Sequence, residues 1–170
     1  MPYGTVLAIL FVHLGFYAAF IAYWMLAGGV ASQWVARSRQ QYDRPVRATL
    51  VGFVGLLLPL FAGIQLAKSG KPPIVAVGVG IFMLLILIGL FGSAGLADRI
   101  GSGLKSGRDE QEPWRRIRRG GMVLGVTFIP PLLGWFIVLP WTLISGFGAF
   151  LLAWPRTSAT PVPAAQPVAP

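Results

Sequence analysis

The chain contains no cysteine. Disulfides, thiolate nucleophiles and thiolate metal sites are excluded, and nothing marks a redox compartment. There is one histidine, His13, so a histidine-rich metal site cannot form within one subunit. Acids are few, five Asp and Glu against fourteen Lys and Arg. Charge as a whole is scarce: 11% of residues, against roughly 25% in ordinary soluble domains. Residues 1–36, 48–67, 72–97 and 120–155 carry no Asp, Glu, Lys or Arg. A soluble core built from 170 residues cannot hide that much apolar surface. Enzyme motifs are missing as well. Gly78-Val79-Gly80 and Gly101-Ser102-Gly103 resemble fragments of phosphate loops, but neither has the flanking pattern such a loop needs.

What is present suits a bilayer. A transmembrane helix needs about 20 mostly apolar residues to cross a hydrocarbon core of roughly 30 Å. The charge-free runs predict an all-α, polytopic integral membrane protein, with four transmembrane helices in a small bundle at about 5–28, 46–67, 74–97 and 132–154. Between them lie two basic loops, 29–45 and 98–119. Eleven of the fourteen Lys and Arg fall in Arg37–Arg47 and Arg99–Arg119. Positive residues beside apolar spans mark the cytoplasmic side, so the net charge of +9 is read as a membrane signal and not as a nucleic-acid footprint. The alternation of charge places both basic loops inside, in a plasma or bacterial inner membrane, with the N-terminus and the tail outside. The first span has no basic n-region and is longer than a signal-peptide core, so it is read as a retained helix. Residues 155–170 hold five prolines among Ala, Thr, Ser and Gln and read as a disordered tail.

The spans carry stripes of small residues, which let helix backbones approach closely. Gly15, Ala18 and Ala22 share one side of span one, and His13, Tyr17, Phe20 and Trp24 the other. The small side is expected to pack inward, leaving the aromatic side for lipid, a groove or a partner. Tyr3 and Trp24 read as interfacial anchors. Span two presents Gly52, Gly55 and Gly63 in one sector with Pro59, where a kink is expected. Span three ends with Gly89, Ser93 and Ala97 at every fourth position.

Gly120–Trp154 is too long for one plain span and is interrupted by Pro130, Pro131 and Pro140. The reading adopted is a kinked fourth span preceded by a short interfacial or re-entrant helix at about 121–129. A hairpin of two half-length arms, returning the C-terminus to the cytoplasm, is the other arrangement the prolines allow.

Two features carry functional expectations. Trp114, Arg115, Arg116, Arg118 and Arg119 set four arginines around apolar residues. The plain interpretation is a topology signal with snorkelling side chains; the sharper one is a docking site for anionic lipid headgroups or a protein. His13 is an ionisable side chain inside a span, either bonded quietly to a neighbour or serving as a proton relay or pH sensor. All five acids are read as loop residues. No catalytic residue, cofactor or metal is expected. The leading functional expectation is a small non-catalytic accessory or scaffold subunit, partnered by lipid and by another membrane protein or a second copy. The alternative is a small channel or transporter subunit using the broken helix at Pro130-Pro131 and Pro140, since discontinuous helices expose backbone groups.

Overall fold

The computed structural model describes residues 2–104 and 112–154, and all of their regular structure is helical. The predicted tail, 155–170, and the acids Asp109 and Glu110 lie outside the described residues. Helix α1 (Pro2–Val30) leads through Ala31 into α2 (Ser32–Gln41), followed by α3 (Pro45–Ala67) and α4 (Pro72–Gly103). Then come α5 (Pro113–Thr127), the short α6 (Pro131–Leu133), a π-helical stretch (Gly134–Val138) and α7 (Leu139–Leu152). Four segments are long and apolar enough to cross a membrane: Tyr3–Val30, Pro45–Ala67, Pro72–Gly103 and Gly134–Leu152.

Pro45, Pro72 and Pro113 stand in the first turns of α3, α4 and α5, where a missing N–H costs nothing. Between α3 and α4, Gly70 takes a φ of 71°, a left-handed conformation that closes the tight turn Lys68–Lys71. Pro59 lies inside α3, which stays helical from Pro45 to Ala67. The π-helical stretch falls directly before Pro140, and the N–H of Leu139 reaches back five residues to the carbonyl of Gly134. A wider turn suits that place, because in a regular α-helix the proline ring presses on the carbonyl four residues earlier.

Small residues set the helix order. A methyl group added at Gly52 would strike the carbonyl of Ile144, and one at Gly148 the carbonyl of Ala48. Gly92 and Gly146 stand equally close, each blocked by the other helix's backbone. Gly63 faces Gly78 across the α3–α4 pair. α7 thus lies between α3 and α4, antiparallel to the first and parallel to the second. Helix α5 runs antiparallel to α4, with Gly101 against Arg116 and Gly120 against Ala97. It also runs antiparallel to α1, with Ile117 against Gly28 and Trp24 against Gly121.

These contacts revise several expectations. The first basic loop contains a ten-residue helix, α2, which buries Val35 and Ser38. The second is largely helical too: α4 continues past Asp98 to Gly103, and α5 begins at Pro113. The short helix expected at 121–129 is the second half of α5. Segment 113–152 is a helical hairpin, with α5 descending beside α1 and α7 returning along α4. Trp154 therefore sits beside Trp34 of α2, ring centroids 5.5 Å apart and edge to face. The last described residue lies at the end of the molecule that holds the arginines, not at the opposite end as the charge alternation suggested. Counting charges cannot see this, because neither arm of the hairpin carries a charge near its tip.

Helix α1 packs with the face opposite to the one expected. Gly15, Ala18 and Ala22 are exposed, and nothing lies within 4 Å of a methyl group placed on Gly15. Trp24 is 0% exposed and belongs to the main core with Ala27, Ala94, Ala97, Ile117, Leu124 and Phe128. Trp24 is no interfacial anchor. Its indole N–H donates to the Ser93 hydroxyl at 3.0 Å, and Ser93 donates onward to the Leu90 carbonyl at 2.8 Å. Burying an indole removes a large apolar area from its surroundings, provided the N–H finds an acceptor; a small polar residue on α4 supplies one. Gly121 of α5 accepts the Trp24 ring of α1, so close approach is achieved with the small side on the other helix.

Candidate functional site

The most concentrated chemistry lies where α1, α2, α4 and α5 meet. Asp98 stands on α4 and is 4% exposed. One carboxylate oxygen accepts from Arg116 Nε of α5 at 3.1 Å, and the other from Arg39 Nη1 of α2 at 3.5 Å. Two guanidinium groups on one carboxylate leave a net charge of +1 among the three. A buried carboxylate is tolerable when its lone pairs are taken by charged donors, and it becomes expensive when they are not. Asp98 thereby ties two amphipathic helices to the apolar α4. A second pair, Arg99 with Asp43, links the ends of α4 and α2 at the surface. Asp98, expected in a loop, stands inside α4. Asp98 follows directly on the apolar run 72–97, and the sequence signal for it was that an acid at the edge of such a run can remain in the helix.

Beside this triad is a cleft of about 360 Å³, bordered by Gly28, Gly29, Ser32, Gln33, Trp114 and Arg116 together with Asp98. It forms because α1 gives way to α2 at Ala31, which leaves the helical conformation with φ −133° and ψ 49°. Trp114 is a platform for cations. The guanidinium carbon of Arg115 lies 5.4 Å from its ring and that of Arg118 5.1 Å. Arg115 also pairs with Glu112 one turn earlier. Of the predicted basic cluster, Arg116 alone turns in to the carboxylate, Arg115 and Arg118 gather on Trp114, and Arg119 follows in the next turn of α5.

His13 lies elsewhere, at the tip of the hairpin. Its ring centroid is 5.7 Å from Trp135 and 6.4 Å from Tyr17. Trp135 also stacks on Phe16 at 5.5 Å and 16°. Phe20 continues the aromatic column to Phe128 and Trp24. Seventeen residues separate His13 from Val30, so the tip reaches about 25 Å from the arginine-bearing end of α1.

The remaining predicted residues are structural in position. Gly52 and Gly55 face α7, the latter beside Phe147 and Leu151. Gly63 faces α4, Gly89 faces Leu143, Ser93 holds Trp24, and Ala97 supports Gly120. Pro130 is exposed in the turn after α5, Pro131 opens α6, and Pro140 is half-buried at the start of α7. The polar groups near these prolines are occupied locally: Thr127 donates to the Leu124 carbonyl at 2.6 Å and Thr142 to that of Val138 at 2.7 Å. Tyr42, beyond the apolar helices, is buried with its hydroxyl 3.5 Å from the Ser145 hydroxyl. Burial pushes its phenol upward, and the contact with Ser145 offsets this in part.

Among the described residues, no group of three or more His, Cys, Asp or Glu side chains is arranged to hold a metal ion. No known protein family, curated protein or solved structure matches the chain. The functional reading accordingly rests on the geometry.

Proposed function

We propose that this chain is a small integral membrane protein without catalytic activity, an accessory or scaffold subunit that assembles with another membrane protein. Three helices cross the bilayer completely and the α5–α7 hairpin enters from the arginine-bearing side, which faces the cytoplasm of a plasma or bacterial inner membrane and rests on anionic lipid. The observation that carries this reading is the distribution of apolar surface. Leu10, Phe11, Val54, Leu58, Phe61 and Phe136 are all more than 60% exposed, on three different helices. The buried polar side chains Ser93, Asp98, Thr142 and Ser145 make contacts within the protein. A molecule greasy outside and tied together inside by a few polar contacts has the composition of a membrane-embedded scaffold.

The channel or transporter alternative draws on the π-helical stretch and on the hairpin turn beside His13 and Phe16. The surroundings speak for the first reading. The groove between α3, α4 and α7, about 200 Å³, is bordered by apolar side chains such as Leu56, Phe82, Leu85 and Leu143. An ion or polar solute needs polar groups along its path.

Cross-linking in native membranes, followed by identification of the attached proteins, tests the proposal. The expected result is one recurring membrane-protein partner, with no ion or solute flux from the purified protein in vesicles. Recovery of lipid adducts and self-contacts alone would count against the accessory role, and flux would favour the channel.

A further inference from the structure

The cleft beside Asp98 has features that the packing of the bundle does not account for. Its charge is unbalanced: Asp98 neutralises one of its two arginines, and the triad retains +1. Asp98 engages Arg116 through Nε, and Arg116 also borders the cleft. Ser32 and Gln33, polar and uncharged, border the same space from the first turn of α2. No side chain caps that turn, and a helix N-terminus favours an anion nearby. Trp114 closes the cleft with an apolar ring, and Ile117 adds an aliphatic edge.

Position selects among anions. Val30 ends the apolar run of α1, and Asp98 is the first charged residue after the apolar run of α4. The cleft thus lies at the depth where hydrocarbon gives way to headgroups. Its lining is mixed, with Trp114 and Ile117 beside Arg116, Ser32 and Gln33.

We propose that this cleft holds the phosphate of an anionic phospholipid, bound by the Arg116 guanidinium, with Ser32 and Gln33 donating to its oxygens and Trp114, nearer the start of α5, packing on the headgroup. The site rests on the membrane reading above. It differs from general attraction between a basic surface and a charged leaflet, because it depends on four named positions and not on net charge. Arg115 and Arg118, which stack on Trp114 and leave Asp98 alone, contribute to the surface potential.

The test uses the full-length protein purified in a neutral detergent, delipidated, and titrated with phosphatidylglycerol or phosphatidylcholine, with retained lipid read by native mass spectrometry. The wild-type protein is expected to keep one phosphatidylglycerol in preference to phosphatidylcholine. Arg116→Gln is expected to weaken that retention about tenfold, the worth of one charge-assisted hydrogen bond. Arg118→Gln removes the same charge from the surface and is expected to change it less than about twofold. Should Arg116→Gln fail to fold, the double variant Ser32→Ala with Gln33→Ala, outside the ion triad, is expected to weaken retention about threefold. Equal retention of the two lipids would overturn the proposal, as would equal losses in Arg116→Gln and Arg118→Gln. Displacement of the lipid by millimolar inorganic phosphate, with phosphate binding in its place, would overturn the lipid source and point to a soluble anion. Alkaline carbonate extraction of membranes separates the levels. Release of the chain refutes the membrane reading itself, whereas a chain that stays but shows no lipid preference refutes the cleft alone.

Discussion

Asp98 illustrates how one side chain governs its surroundings. It is nearly excluded from solvent, and both its oxygens are in use. Asp98→Asn keeps the shape and removes the charge, leaving two guanidinium groups facing each other around a neutral amide. Breaking a buried ion pair in this way costs about 3 kcal/mol. The two arginines are not equivalent. Arg116 is closer, at 3.1 Å against 3.5 Å, and its side chain is less exposed, at 26% against 35%. Arg116→Gln is therefore expected to cost about 2 kcal/mol and Arg39→Gln about 1 kcal/mol or less, since exposed partners are screened. Thermal unfolding in detergent, with the three variants side by side, checks the order Asp98→Asn, then Arg116→Gln, then Arg39→Gln. Equal midpoints for all three and the wild type would show that the triad holds nothing. Sequence reasoning singled out Arg116, but neither Arg39 nor the acid between them. It assigned residues to loops by charge, and a charge at the rim of an apolar run has no periodicity of its own to show whether the helix has ended.

At the scale of helices, the sequence patterns were informative about where elements lie and less so about which face is used. The apolar runs located α1, α3 and α4 closely, because a helix that must shield its backbone in oil needs a minimum length. The amphipathic helix α2 and the first half of α5 were hidden inside segments read as loops on the ground of their arginines, while the second half of α5 matches the short helix expected at 121–129. The small-residue stripes divide into two kinds. Gly92 on α4 and Gly146 on α7 meet backbone to backbone, so a methyl group on either must displace a main-chain carbonyl. Gly15 on α1 meets open space. Both are glycines in apolar helices, and no property of α1 read alone distinguishes them; the difference lies in whether the partner helix is itself small at that level. Gly92→Ala is therefore expected to destabilise by about 2 kcal/mol, in the range for overpacking a close contact. Gly15→Ala is expected to stabilise slightly, by up to about 1 kcal/mol, from the helix propensity of alanine. Parallel unfolding curves for the two variants decide the matter. A large loss in Gly15→Ala would mean that this face of α1 is covered in the folded assembly.

Among the described residues most of the arginines gather at one end, the other holding Lys68 and Lys71, and the hairpin determines which end receives the C-terminal segment. α5 and the segment from Pro131 to Leu152 are unequal arms, about 22 Å and 33 Å long if drawn as regular helices. They turn beside His13 and Phe16, part-way along α1, and return to the level of Trp34. A fourth full crossing would have put Trp154 beside the Lys68–Lys71 turn instead. The two topologies differ in a way that the absence of cysteine makes easy to measure, because any introduced thiol is the sole one in the chain. Ser69→Cys lies in the turn between α3 and α4, Ser102→Cys in the last turn of α4, and Trp154→Cys just beyond α7. In sealed right-side-out vesicles a membrane-impermeant maleimide is expected to label Ser69→Cys, and to reach Ser102→Cys and Trp154→Cys after the membrane is opened. The positive-inside rule fixes the sign of the result, and the packing of α7 along α4 fixes its parity. Labelling of all three from within would keep the hairpin's C-terminal side and deny the crossing of α3 and α4. Labelling of Trp154→Cys together with Ser69→Cys would restore the four-crossing topology, and the contact between Trp34 and Trp154 could not then exist in the membrane.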